Sequence, residues 1–529
     1  MRRFLIILTT LLSVMTLPAQ NMIYLEHANT LSFDEDINAE YQVLIGDVQF
    51  RHDSVWMYCD TAHFFKKNNS LYAFGHVHIV QGDTLTLDGK TLWYDGNKKI
   101  AMLRQNVVMT DQDVRLYTDN LDYDRVANIG YYFHGGKIVD ATNDLASSYG
   151  RYNPSTKMCF FKDDVVLTHP DFVFYSDTLN YHTETRVASI VSHTRIVSDS
   201  STVHAFRGWY NTLSGESELY DGSYLLSSPY YMTGDTVSYD QSRGQGYARG
   251  HVLLRDSSQY MLVTGNYGFH HQETETSYIT GRALLKEFSQ PNDTLYLHAD
   301  TLMMRKDSVF DTFMAYHKVR IYRSDLQAVC DSLHYSSRDS ILDISGLPII
   351  WSENQQVRGN HMQLFLKNQR PDYLFVERNA SVVSQEAADT SFYNQSSGDE
   401  LKAYFSDNKV KRVTIQGNAR SIYVPHNENN EIIGMVSVEQ GDIEMFMDKD
   451  GKMEKILVAP QPKGKFFPLH LISPGDKRIP LFSWAVDQRP SGPQDVFRHS
   501  VDQDQRFVED KNQGQGQGLK RATRRNKKK

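Results

Sequence analysis

At 529 residues the chain is long enough for two to four globular domains or for one extended repeat array. Its formal net charge of −8 is mild and spread along the chain, which argues against the broad basic face of a nucleic-acid binder. With 31 Tyr, 26 Phe and only 15 Pro, the composition favours strands and excludes a disordered chain.

The first element is a targeting segment. Arg2 and Arg3 precede an apolar run from Phe4 to Leu17, and Leu17-Pro18-Ala19 offers a small residue for cleavage. Residues 1–19 are therefore predicted to be a signal peptide, with maturation near Gln20. The run is short for a membrane span, which needs about 20 apolar residues. No cysteine follows it to carry a lipid anchor, and no second apolar run of spanning length occurs. The mature chain is expected to be exported and soluble.

Over residues 20–350 the chain repeats itself. The recurring phrase is a small or acidic residue, a polar residue, an apolar residue, any residue, then an aromatic. It reads Asp60-Thr61-Ala62-His63-Phe64, Lys90-Thr91-Leu92-Trp93-Tyr94 and Asp119-Asn120-Leu121-Asp122-Tyr123. It returns as Asp177-Thr178-Leu179-Asn180-Tyr181, Asp235-Thr236-Val237-Ser238-Tyr239, Asp300-Thr301-Leu302-Met303-Met304 and Asp331-Ser332-Leu333-His334-Tyr335. The closing aromatics fall at Phe64, Tyr94, Tyr123, Tyr152, Tyr181, Tyr210, Tyr239 and Phe269, at steps of 29 or 30 residues. The steps then lengthen through Met304, Tyr335, Leu364, Tyr404 and Phe446, so residues 351–460 read as a continuation with insertions.

About eleven residues after each aromatic, a turn residue, often Gly, opens a short apolar alternation, as in Gly75-His76-Val77-His78-Ile79. Both halves of the repeat alternate with period two. Leu179 and Tyr181 face one way, Thr178 and Asn180 the other, which is strand chemistry with one buried face. The expected fold is all-β: an elongated antiparallel solenoid of two-strand repeats of about 29 residues, with two facing sheets. Each sheet is expected to gain one strand per repeat. On that model Cys59 and Cys330, nine repeats apart, lie on the order of 43 Å from each other. A disulfide allows only about 7 Å between Cα atoms, so both, with Cys159, are read as packing residues. Residues 461–498 carry Phe466-Phe467-Pro468 and Leu481-Phe482-Ser483-Trp484 and read as a cap or docking segment. Residues 499–529 read as a disordered basic tail.

Chemistry-bearing constellations are missing. Asp60-Thr61-Ala62 has the look of an aspartic-protease signature, but Asp-Thr recurs at 177, 235 and 300 in the same register. The Asp is therefore read as a turn acceptor and the Thr as a strand residue. His76 and His78, and the adjacent His270 and His271, lack further ligands at metal-binding spacing. No phosphate loop, dinucleotide fingerprint or nucleophile elbow occurs. No enzymatic activity, metal or cofactor is expected.

An export signal followed by repeats of the form Asp-Thr-Leu-x-Tyr-Asp … Gly-x-Val-x-Leu resembles the LptA/OstA family of periplasmic lipopolysaccharide-transport proteins. Asp177-Thr178-Leu179-Asn180-Tyr181, Gly234-Asp235-Thr236-Val237-Ser238-Tyr239-Asp240 and Gly250-His251-Val252-Leu253-Leu254 carry the likeness best. The resemblance implies an open antiparallel β-jellyroll whose two sheets form a V-shaped apolar trough. It implies a periplasmic bridge component that shields the acyl chains of lipopolysaccharide or lipid A on their way to the outer membrane. Its implied partners are jellyroll domains of inner- and outer-membrane transport components and further copies of itself, end to end, with an association at the outer membrane. Candidate trough-lining residues are Val77, Ile79, Leu121, Tyr123, Leu179, Tyr181, Val237, Tyr239, Val252, Leu254, Leu333 and Tyr335. The chain departs from the family in being far longer than a minimal bridge protein. It also lacks, after residue 350, the amphipathic membrane strands of the family's outer-membrane translocon. Two other classes remain open: a structural or adhesive exported β-solenoid without lipid cargo, and a carbohydrate-active β-helix enzyme, which would set acidic clusters on one sheet face.

Overall fold

The computed structural model describes residues 22–33, 40–290, 293–307, 309–368, 370–387, 389–429, 431–448 and 453–498. The expected signal peptide and basic tail lie outside these residues. The chain divides into two compact units, residues 1–213 and 214–529, a division that falls inside the 20–350 repeat stretch. Among the described residues the regular elements are strands and a few single-turn 3-10 helices. None of their helices is long and apolar enough to cross a membrane.

In the first unit, β1 (Tyr24–His27) and β2 (Thr30–Ser32) pair with the two halves of β3 (Gln42–His52). An antiparallel meander follows: β4 (Val55–Phe65), β5 (Ser70–Gln81), β6 (Leu85–Asp95), β7 (Ile100–Asp111), β8 (Val114–Asp124), β9 (Ile129–Val139), β10 (Asp144–Asn153), β11 (Met158–His169) and β12 (Phe172–His182). Each strand pairs along its length with the next. Apolar residues at every second position bury one face, so Leu71, Ala73, Val77 and Ile79 of β5 are all inward.

Every long strand bends near its middle, and the sequence shows why. In β3, β5, β7, β9 and β11 two consecutive residues take positive φ: Gly46–Asp47, Gly75–His76, Gln105–Asn106, His134–Gly135 and Asp163–Asp164. In the alternate strands the inward residues skip a place, as from Cys59 to Ala62 in β4, and the pairing register shifts there. The phrase's Asp-Thr pair is this bulge: two successive residues face outward and the strand turns a corner. The Asp side chain serves the neighbouring corner. Asp119 Oδ1 accepts the Asn106 N–H at 2.9 Å, and Asp60 Oδ2 lies 2.7 Å from His76 Nδ1.

Three expectations are corrected. The Gly expected between strands sits in the middle of one, and the Asp expected at a turn sits mid-strand at a bulge. Both halves of each strand pair with the same neighbour, so each repeat adds two strand segments to each sheet half, where one was expected.

The second unit follows the same plan with strands of uneven length, some continuous through the corner, as Arg370–Gln385, and others interrupted there, as Asp311–Tyr316 and Val319–Arg323. Its corners include Gly250–His251, Gly281–Arg282, His317–Lys318, Gly346–Leu347, Arg378–Asn379 and Gly417–Asn418. At Gly346 (φ +81°) an added Cβ would come 2.3 Å from the Asp331 Cβ, so the site admits glycine alone. The longer repeats also carry aromatics on the outer face, and these misled the spacing. Phe269, Tyr404 and Phe446 lie outward, beside Tyr247, Arg412 and Lys455, while Phe405 and Met447 pack inward.

The C-terminal segment is built onto the second unit. Lys463–Pro468 pairs with Gly434–Glu439. Residues 477–498 then cross the outer face of successive repeats. Gln395 donates to the Lys477 carbonyl at 2.6 Å and accepts the Ile479 N–H at 3.0 Å. Gln356 repeats the arrangement with Ser483 O at 2.7 Å and Ala485 N at 2.8 Å. Arg320, fully buried, donates to the Gln488 and Asp495 carbonyls. Trp351, Val329, Ile349 and Ala485 form a small apolar cluster under this strap. Cys59, Cys159 and Cys330 are free and buried.

Candidate functional site

The interior enclosed by the bent strands is the candidate site, and its character differs between the units. In the first unit, Val77, Ile79, Leu121, Tyr123, Leu179 and Tyr181 all lie inward and are at most 3% exposed. In the second unit, Val252 and Leu333 are buried, whereas Val237, Leu254, Tyr239 and Tyr335 are only half-buried. Val237 and Leu254 pack against the main apolar cluster there, and Tyr239 and Tyr335 share the strand faces of Val237 and Leu333.

A row of polar contacts across the strand ends accounts for the burial in the first unit. The turn-side tyrosines reach the opposite set of turns. The Tyr94 hydroxyl lies 2.6 Å from His52 Nδ1 and accepts from Arg125. The Tyr152 hydroxyl donates to Asp111 Oδ2 at 2.7 Å, where Lys157 Nζ also sits at 2.7 Å. The Tyr181 hydroxyl donates to Asp140 Oδ2 at 2.6 Å, and Arg186 pairs with Asp140 and, at 3.0 Å, with Asp113. Lys99 closes on Asp53 at 2.8 Å. One rim supplies Lys and Arg, the other supplies Asp, and the two meet.

Burial works against the Asp140 carboxylate. The Tyr181 hydroxyl, the Thr142 and Asn143 N–H groups and the Arg186 charge outweigh it and hold its pKa below the usual value. Burial likewise opposes Asp53, and its hydrogen bond to Lys99 with the nearby His52, Lys99 and Arg125 charges prevails, again lowering it. Burial pushes the Tyr94 phenol up to about 12, and raises Tyr152 and Tyr181 further, helped by their Asp partners. These phenols are fixed as neutral donors.

The sequence reading missed this row, although a signal was present. His52, Gln81, Asp111 and Asp140 recur at steps of 29 or 30 residues, the first three ending a strand before a turn and Asp140 one residue past the end of β9. Period counting directed at aromatics passes over residues whose side-chain type changes from repeat to repeat.

In the second unit the strand-end aromatic finds a different partner. The Tyr239 hydroxyl donates to Gln272 Oε1, 2.8 Å away in the next turn on its own side. At the outer corners His251 meets Asp235 at 2.9 Å and His317 meets Asp331 at 3.1 Å, as His76 meets Asp60 in the first unit. Half-buried apolar side chains line both strand ends: Phe313, Leu342, Leu364 and Phe405 on one side, Met261, Val263, Leu295 and Ile321 on the other. Among the described residues no group of three or more His, Cys, Asp or Glu could hold a metal ion.

Residues 20–177 match the family model described as OstA-like protein. Among solved structures, a match is found to LptH, the LptA homologous periplasmic component of the conserved lipopolysaccharide transport device from Pseudomonas aeruginosa. It has 15% identity, covers 22% of this chain and 82% of that one, and has a TM-score of 0.20, a likeness that carries no argument about this chain. No curated protein matches. Over residues 20–177, then, the chain resembles the OstA-like family, and the repeat steps of 29 or 30 residues continue past that stretch to Phe269.

Proposed function

We propose that this protein is a periplasmic bridge component of lipopolysaccharide transport that shields acyl chains on their way to the outer membrane. The family match over residues 20–177 supports the class. The observation that carries the cargo reading is the second unit's interior, where apolar side chains face inward yet stay half-buried at the strand ends. Burying apolar surface contributes roughly 25 cal/mol per Å², enough to hold lipid tails without specific polar chemistry. Jellyroll domains of inner- and outer-membrane transport components, and further copies of the chain, are the proposed partners. Among the described residues, Tyr24–His27 and Thr30–Ser32 pair with β3, and Met453–Ala459 and Lys463–Pro468 each pair with one strand, which supports edges for such pairing. No catalytic role is proposed.

The test is photocrosslinking in the periplasm, with a photoreactive residue at Tyr239 or Tyr335 and an outward control at Asn180. Lipopolysaccharide adducts at the inward sites alone would support transport. A folded protein giving no adduct at any second-unit site would favour the structural solenoid, a reading that the packed interior of the first unit also fits.

A further inference from the structure

Two stacks with one bending plan have opposite rims. Through most of the first unit the inward residue next to a turn is fully covered: Tyr94, Tyr123, Tyr152 and Tyr181 on one side, Val55, Leu85, Val114 and Leu145 on the other, all at most 4% exposed, while Phe172 and Tyr210 in its last repeat are half-buried. Above them lie the Lys99–Asp53, Lys157–Asp111 and Arg186–Asp113 contacts, linking turns that belong to opposite ends of the strands. In the second unit Lys306 also reaches across, to the Tyr230 hydroxyl at 3.0 Å, but the places next to the turns further along hold Phe313, Leu342, Leu364 and Phe405, which are half-buried. The residues beside them are exposed and of both signs: Arg305, Arg338, Lys367, Arg370, Lys409 and Lys455, with Asp307, Asp311, Asp339, Asp372 and Asp407.

We infer that the two units divide the work: acyl chains of a phosphorylated amphiphile lodge in the second unit, entering sideways between its strand ends, and the first unit is a closed strut that takes no cargo. This rests on the transport reading. The aliphatic, Met-containing walls suit flexible hydrocarbon better than a rigid ring system. The exposed Lys and Arg side chains of the rim offer charge-assisted hydrogen bonds to headgroup phosphates lying outside the interior. In the first unit, hydrocarbon entry would require parting the rims. That would expose the Asp140 and Asp111 carboxylates and their cations to an apolar ligand, which burial energetics oppose.

The experiment uses the full chain with lipid A in detergent micelles, read by hydrogen–deuterium exchange against empty micelles. A second arm bridges cysteines placed by Asp113→Cys and Arg186→Cys with a short bismaleimide, which locks the first unit's rims together. The three native cysteines are buried. The expected result is slowed exchange confined to strands of residues 217–468, with lipid A affinity in the bridged protein within about twofold of its unbridged form. Slowed exchange in strands of residues 42–211, or at least a tenfold loss of affinity on bridging, would overturn the division of labour and leave the transport reading standing. Exchange unchanged by lipid A throughout the chain would overturn both.

Discussion

Tyr181 donates its hydroxyl proton to Asp140 Oδ2 at 2.6 Å, and one repeat earlier Tyr152 makes the same contact with Asp111 at 2.7 Å. A tyrosine that began as a repeat marker thereby joins the two ends of a bent strand stack. Removing the carboxylate leaves Arg186 with only its Asp113 partner beside a buried phenol. Asp140→Ala should destabilise the first unit by about 3–5 kcal/mol, the scale for breaking a buried pair on one side. Tyr181→Phe should cost about 1–2 kcal/mol. Urea titration of the full chain, followed by exchange in β10–β12, checks the order; equal losses would contradict it.

The depressed pKa values of Asp140 and Asp53 set a pH dependence. A carboxylate held below its unfolded value of about 3.9 stabilises fully above that pH and loses its contribution as pH falls through the folded pKa. Thermal unfolding of the first unit should therefore be level at neutral pH and fall below about pH 4. Asp140→Asn should flatten part of that fall. An unchanged slope in the variant would show that other groups carry it.

Corner glycines differ in what surrounds them. Gly346 (φ +81°) has the Asp331 Cβ 2.3 Å from where its own Cβ would stand, whereas at Gly135 (φ +101°) nothing lies within 4 Å. Gly135→Ala should cost only the left-handed backbone penalty, about 1–2 kcal/mol. Gly346→Ala should cost clearly more, since a backbone-anchored atom must move. Denaturant midpoints of the two variants measure the difference.

The strap depends on a few glutamines. Gln356 is 1% exposed and bonds Ser483 O, Ala485 N and the Trp351 indole at once. Gln356→Ala leaves those groups without that partner and should cost about 1–3 kcal/mol. It should also make residues 477–498 cleavable by limited proteolysis at a protease concentration that spares the parent. Equal resistance would mean that Gln395, Arg320 and the apolar cluster around Trp351 hold the strap without Gln356.

Burial pushes the Cys59 thiol up to about 12, so its reactive thiolate is scarce at ordinary pH. Native protein should resist maleimide at pH 8 and react fully in denaturant, as mass spectrometry would show. Rapid native labelling would mean that β4 opens on the experimental timescale.

Much of this architecture was legible in the chain itself. Period-two burial at Leu179 and Tyr181 marked the inner face, and steps of 29 or 30 residues marked the repeat, because a strand alternates locally and identical units stack only if their lengths agree. The tertiary structure alone decided where the strands bend and where the rims meet. Gly75 and Asp60 stand 15 positions apart, and only pairing of β4 with β5 shows that one turns the corner and the other packs against it. Tyr181 and Asp140 stand 41 positions apart, and only the bend that folds each strand back on itself brings them together. Contacts of that kind depend on the path of the whole stack, which no local pattern of residues encodes.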